Sequence, residues 1–163
     1  MKISQFLIKK IFFIFIISQL LLNVSKANSA EEIKIIYSIF SRTIKVDSLK
    51  TYAKEGKSTK KLKRILKATG SSDKEIRSVL NKNFEIPITI ASKLVYSEIG
   101  NVFLTRLSSI IHPSRADDER TGMLALRASV IQGINLGNGK INMINFFEGY
   151  PTKTIILDVN ALS

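Results

Sequence analysis

Beyond an N-terminal apolar run, the chain is interrupted at short intervals by residues that stop helices: Gly56, Gly70, Pro87, Pro113, a GNG turn at 137–139 and a break at 149–151. Glycine accepts the left-handed backbone that follows a last helical turn, and proline disfavours helix in the residue before it. The segments between these stops are therefore short. Each carries an apolar stripe that it cannot bury alone, so they must pack on one another.

Read in order, residues 33–46 alternate loosely between apolar and polar (Ile33, Ile35, Tyr37, Ile39, then Ile44 and Val46), with Ser41 and Arg42 between the halves. This predicts a hairpin of two short strands. Asp47 is placed to cap a helix over 48–54 that Gly56 ends, and Ser58 or Thr59 opens a second helix with Leu62, Ile65 and Leu66 facing inward. Ser72 followed by Glu75 fits a capping box for a third, with Ile76, Val79 and Leu80 as its buried face. Pro87 suits the start of a helix over 88–95. Another is predicted over 98–111, with Ile99, Val102, Phe103, Leu107, Ile110 and Ile111 on its inner side, stopped at His112 and Pro113. The stretch MLALRASVIQGI at 123–134 is apolar nearly all round and reads as a central helix. A short helix at 141–147 and a final strand at 154–159 complete the chain. The prediction is one α+β domain, mostly α: about six helices beside a small antiparallel sheet made of the N-terminal hairpin and the C-terminal strand.

The N-terminus has the three-part layout of a secretory signal. Lys2, Lys9 and Lys10 are followed by the apolar run 11–22, broken only by Ser18 and Gln19, and then by small residues at 25–27 (SKA). A signal peptide over 1–27, cleaved near Ala27 or Ala30, leaves 28–163 as a single helical accessory domain. The rival, an uncleaved anchor, fits less well: the run spans only about 18 Å of helix against a hydrocarbon core of about 30 Å. The expected location is exported, periplasmic or extracellular. Cleavage removes Lys2, Lys9, Lys10 and Lys26, lowering the net charge from +12 to +8, with 21 basic and 13 acidic residues remaining.

At 163 residues, 45% hydrophobic and 23% charged, the chain suits one globular domain able to bury a core without staples. It has no cysteine. That excludes disulfides, thiolate zinc sites, iron–sulfur clusters, c-type haem attachment and lipidated cysteine anchors.

No catalytic, cofactor-binding or metal-ligating residue is assigned. No G-x-S-x-G elbow is present, and the lone histidine, His112, reads as structural because nothing beside it completes a triad. Asp117, Asp118 and Glu119 match no calcium-loop spacing and are flanked by Arg115 and Arg120, so they read as a solvated loop priming the next helix. The GNG turn with Lys140 lacks the full phosphate-loop pattern. The basic run is the candidate site: Lys57, Lys60, Lys61, Lys63, Arg64 and Lys67 form a candidate anion patch, with Lys60, Lys63 and Lys67 toward the outside of their helix. With neither interleaved aromatics nor a recognition helix, no nucleic-acid partner is expected; a solvated face is the simpler alternative to an anionic partner surface.

Four segments, IIYSIFSRTIKVDSLKTYAKEG (35–56), LVYSEIGNVFLTRL (94–107), ALRASVI (125–131) and YPTKTIILDVNAL (150–162), resemble in order and spacing a cyanobacterial domain family described as an alpha/beta hydrolase of unknown function. The resemblance covers about 30–162. It implies the helical module that follows a signal peptide and precedes a separate α/β-hydrolase domain of the esterase or lipase type, here as a stand-alone copy that is not itself an α/β-hydrolase fold. No position matches a nucleophile, acid or base. Residues expected to matter structurally are Tyr37, Leu49, Gly56, Gly100, Arg127 and Pro151. Arg127, a charge in an apolar helix, is expected to pair with a carboxylate or a helix-end carbonyl. The implied function is an exported non-catalytic accessory or interaction domain whose partner is a hydrolase or another exported protein. The alternatives are an esterase or lipase activity, and binding to an anionic or membrane surface.

Overall fold

The computed structural model describes residues 29–115 and 118–162. The expected signal peptide lies outside the described residues, as does Asp117.

Strands β1 (Glu32–Tyr37) and β2 (Phe40–Lys45) form the expected hairpin, but it turns at Ser38 and Ile39 rather than at Ser41 and Arg42. Ser38 takes a positive φ of 52°, which a tight two-residue loop demands at its first position. Helix α1 (Val46–Glu55) then starts earlier than Asp47 suggested: Lys45 occupies the cap with no side-chain bond, and Asp47 lies in the first turn. Gly56, at φ 73°, closes it by donating its N–H to the Tyr52 carbonyl at 2.9 Å.

Side-chain caps start most of the other helices. Thr59 accepts from the Leu62 N–H at the head of α2 (Lys60–Lys67). Ser72 and Glu75 form a complete capping box on α3 (Asp73–Asn81), with Ser72 N–H donating to Glu75 Oε2 at 2.8 Å. Helix α4 (Ile88–Val95) begins after Pro87, and Ser97 caps α5 (Glu98–Ser108) through the Gly100 N–H. Asp118 caps the long α6 (Glu119–Leu136), and Asn142 caps α7 (Met143–Glu148). A 3-10 turn at Val159–Leu162 follows the last strand.

Helix α5 ends three residues before the expected stop, and Ile111–Pro113 forms a strand, β4. The pre-proline restriction pushes His112 into extended backbone, and proline is tolerated because β4 is an edge strand. β4 pairs antiparallel with β6 (Thr154–Asp158), and β6 pairs parallel with β1, giving the order β2-β1-β6-β4. The sheet is thus mixed rather than wholly antiparallel. The chain leaves the hairpin, passes through all the helices and returns to β1 in the same direction, and only such a crossover can join parallel neighbours. Two short strands, β3 (Phe84–Glu85) and β5 (Lys140–Ile141), make a second, two-stranded sheet. The fold is α+β and mostly helical, with seven α-helices among the described residues.

Helix α6 is central, packed on α4, α5, α7 and β4. Its Leu126 and Ile134 are fully buried, and Leu126 shares the core cluster with Tyr52, Tyr150 and Ile155. Among the described residues, no helix is long and apolar enough to cross a membrane.

Candidate functional site

The expected anion patch is gathered on one element. Lys60, Lys61, Lys63, Arg64 and Lys67 are exposed along α2, whose Leu62 and Leu66 are buried. Lys57 precedes the helix and forms an ion pair with Glu55 at 2.9 Å, so part of its charge is already matched. With α2, strand β2 forms a groove of about 430 Å³, lined by residues 43–45 on one side and Lys61, Leu62 and Ile65 on the other.

The residues expected to be structural divide by location. Leu49 is buried in the core, and Gly56 caps α1. Tyr37 lies at the hairpin tip, 66% exposed, with Ile39 and Phe40 also exposed beside it. Gly100 is held by close approach: a Cβ there would come within 2.0 Å of the Leu94 carbonyl oxygen. Arg127 is only 9% exposed. Its Nε donates to the Val95 carbonyl at the end of α4 at 3.0 Å, another N–H bonds Asn101, and the guanidinium lies 4.3 Å from the Tyr96 ring centroid. Of the two kinds of partner expected, the helix-end carbonyl is the one it takes; it serves as a clasp joining α4, α5 and α6. Pro151 borders a groove of about 510 Å³ between α1, α6 and α7, spanned by the Lys50–Glu148 ion pair.

The remaining sequence candidates sit in structural roles. Nδ1 of His112 lies 2.9 Å from the Pro113 carbonyl. The Asp118 carboxylate accepts the Thr121 N–H at 2.7 Å, which holds its pKa below the usual value. At the GNG turn, the N–H groups of residues 137–140 all bond to carbonyls of residues 133–137, which leaves none to cradle a phosphate. Lys140 reaches Glu85 at 2.6 Å and lowers the pKa of that carboxyl through hydrogen bonding and charge. Among the described residues, no three His, Cys, Asp or Glu side chains are grouped to hold a metal.

One surface was not foreseen. Ile99, Val102 and Phe103, read as the buried side of α5, point outward: Ile99 is 80% and Phe103 63% exposed. Together with Glu98 and Arg106 they line a shallow apolar groove. On α4, Ile90 and Leu94 are exposed one turn apart. The buried side of α5 is instead Gly100, Leu104 and Ser108. The small residues were the available signal, since Gly100 and Ser108 permit the close contacts with α4 and α6 that a larger residue would block.

The structure thus defines a small helical α+β domain with a basic helix and an outward apolar face. A family model matches residues 29–158, and the chain belongs to that family, described as alpha/beta hydrolase of unknown function (DUF1400). No curated protein and no solved structure matches the chain.

Proposed function

We propose that this chain is an exported accessory domain that docks onto an α/β-hydrolase catalytic domain through the outward face of α4 and α5. The observation that carries this reading is the exposure of Ile90, Leu94, Ile99, Val102 and Phe103 on adjacent helices whose other sides are already packed. Exposed apolar side chains grouped in this way, with a charged rim supplied by Glu98 and Arg106, are what a protein interface requires. The choice of partner class is our own: it draws support from the family description, alpha/beta hydrolase, and from a main sheet that has four strands in mixed orientation among the described residues. Export rests on the N-terminal sequence.

Sedimentation velocity on the purified protein mixed with an exported α/β-hydrolase domain from the same genome tests the reading, with a one-to-one complex expected. Failure to form it, or self-association through the same face, would count against it. The family description, alpha/beta hydrolase, also supports a second reading in which the chain is itself a hydrolase, with esters as the substrate class we propose to test. Turnover of short-chain p-nitrophenyl esters by the purified chain, abolished by serine-directed phosphonates, would establish that alternative and displace the accessory role.

A further inference from the structure

The groove between β2 and α2 is a separate surface from the α4–α5 face, and it has a chemistry of its own. Strand β2 is an edge of the sheet. Its register with β1 pairs Tyr37 with Phe40 across a two-residue loop, so Phe40, Arg42 and Ile44 exchange hydrogen bonds with β1. The bond from the Val46 N–H to the Glu31 carbonyl, at 2.9 Å, continues the same alternation. Thr43 and Lys45 therefore direct their N–H groups, and Thr43 its carbonyl, away from β1 at the open edge. Residues 43–45 line the groove, and Ile44, Leu62 and Ile65 give it an apolar lining.

Charge limits what can lie in the groove. Lys45 and Lys61 line it, and Lys60, Lys63 and Arg64 are exposed along the same helix. The nearby acids are few: Asp47 in the first turn of α1, Glu32 across the strand from Lys45, and Glu55, which is paired to Lys57. A second copy of β2 would bring its own Arg42 and Lys45 against these cations, and like charges on facing strands repel. A flat anionic surface could meet the lysines but could not supply the alternating carbonyl and N–H groups that an open strand edge accepts.

We infer that this groove takes an extended acidic segment of a partner protein, which adds as a strand to β2 and sets its carboxylates against the cations of α2. Backbone pairing gives such a segment its hold, and the alternation of acidic and apolar side chains gives selectivity.

The test uses the full chain and an alternating Val-Glu peptide about eight residues long, near the usual length of a strand. On binding, the amides of Thr43 and Lys45 should shift in the NMR spectrum and gain protection from exchange, and affinity should fall as salt is added. Methylating the peptide nitrogens that face β2 should weaken binding ~10-fold or more, because each lost backbone bond is worth about 1 kcal/mol. Changing Lys45, Lys61 and Arg64 to Gln should weaken it as well, without altering the fold, since all three are exposed. Equal binding of the methylated peptide would overturn the inference in favour of simple charge attraction. Unmoved Thr43 and Lys45 amides, or tight binding to phosphatidylglycerol vesicles with no response to the peptide, would overturn it too.

Discussion

Arg127 holds three helices together at one point, so its replacement reports on how they are joined. Arg127→Leu should cost about 2–4 kcal/mol, because the Val95 carbonyl and Asn101 lose a charged donor in a buried setting. Arg127→Lys should recover only part, since an ammonium cannot reproduce the planar fork or its stacking on Tyr96. Thermal denaturation of the two variants checks both figures. Gly100 and Gly70 make a contrasting pair. Gly100→Ala must push α4 and α5 apart and should cost about 3 kcal/mol, lowering the melting temperature by roughly 10 °C. Gly70→Ala meets nothing within 4 Å among the described residues and should lose only about 1 kcal/mol, from its φ of 73°. Tyr150 tests the opposite sign. Its hydroxyl is buried with no hydrogen-bond partner among the described residues, and burial drives its pKa upward. Tyr150→Phe should be neutral or stabilise by up to about 1 kcal/mol, with its melting curve as the check. Arg127 was legible as a charge needing a partner; its clasp on the Val95 carbonyl was not, because that carbonyl comes near only after α4 and α6 have packed.

The best-read elements were those whose signals are local. The Ser72–Glu75 box, the Thr59 cap and the Gly56 stop each depend on a few adjacent residues, and each stands where expected. Helix α5 was read less well. Its sequence offers two apolar stripes, and periodicity cannot tell which one a neighbour will cover. The choice fell to close packing, which favours the stripe containing Gly100 and Ser108. Local caps also predict an acid response. The pKa of Glu75 is lowered by the Ser72 backbone N–H and hydroxyl, and that of Asp118 by Thr121. A carboxyl whose folded pKa is depressed stabilises fully above its unfolded value, 4.5 for Glu75 and 3.8 for Asp118, and that contribution is lost as pH falls through the folded value. Amide exchange at the first turns of α3 and α6 should therefore quicken relative to the rest of the chain as pH drops below these values. In Glu75→Gln the α3 response should flatten, because the amide does not titrate.

For the molecule as a whole, composition and the spacing of helix stops were enough to define a mostly helical α+β domain. They could not give the direction of β6, because parallel pairing with β1 is a contact between residues far apart in sequence, and TIILD has the same pattern in either orientation. The outward face of α4 and α5 is not legible in the sequence for the same reason: exposure is a property of the assembled fold. The basic helix was visible at once, because charge needs no partner to be counted. The most direct measurement is calorimetric titration of an exported α/β-hydrolase domain from the same genome with the wild-type protein and with a variant carrying Ile99→Asp and Phe103→Asp. Both positions are exposed, so the fold should survive the change. Docking through α5 predicts a saturable complex for the wild type and a loss of ~100-fold or more in the variant, as expected when central apolar anchors become charged. Equal affinities for the two, or no heat of binding with either, would contradict the account.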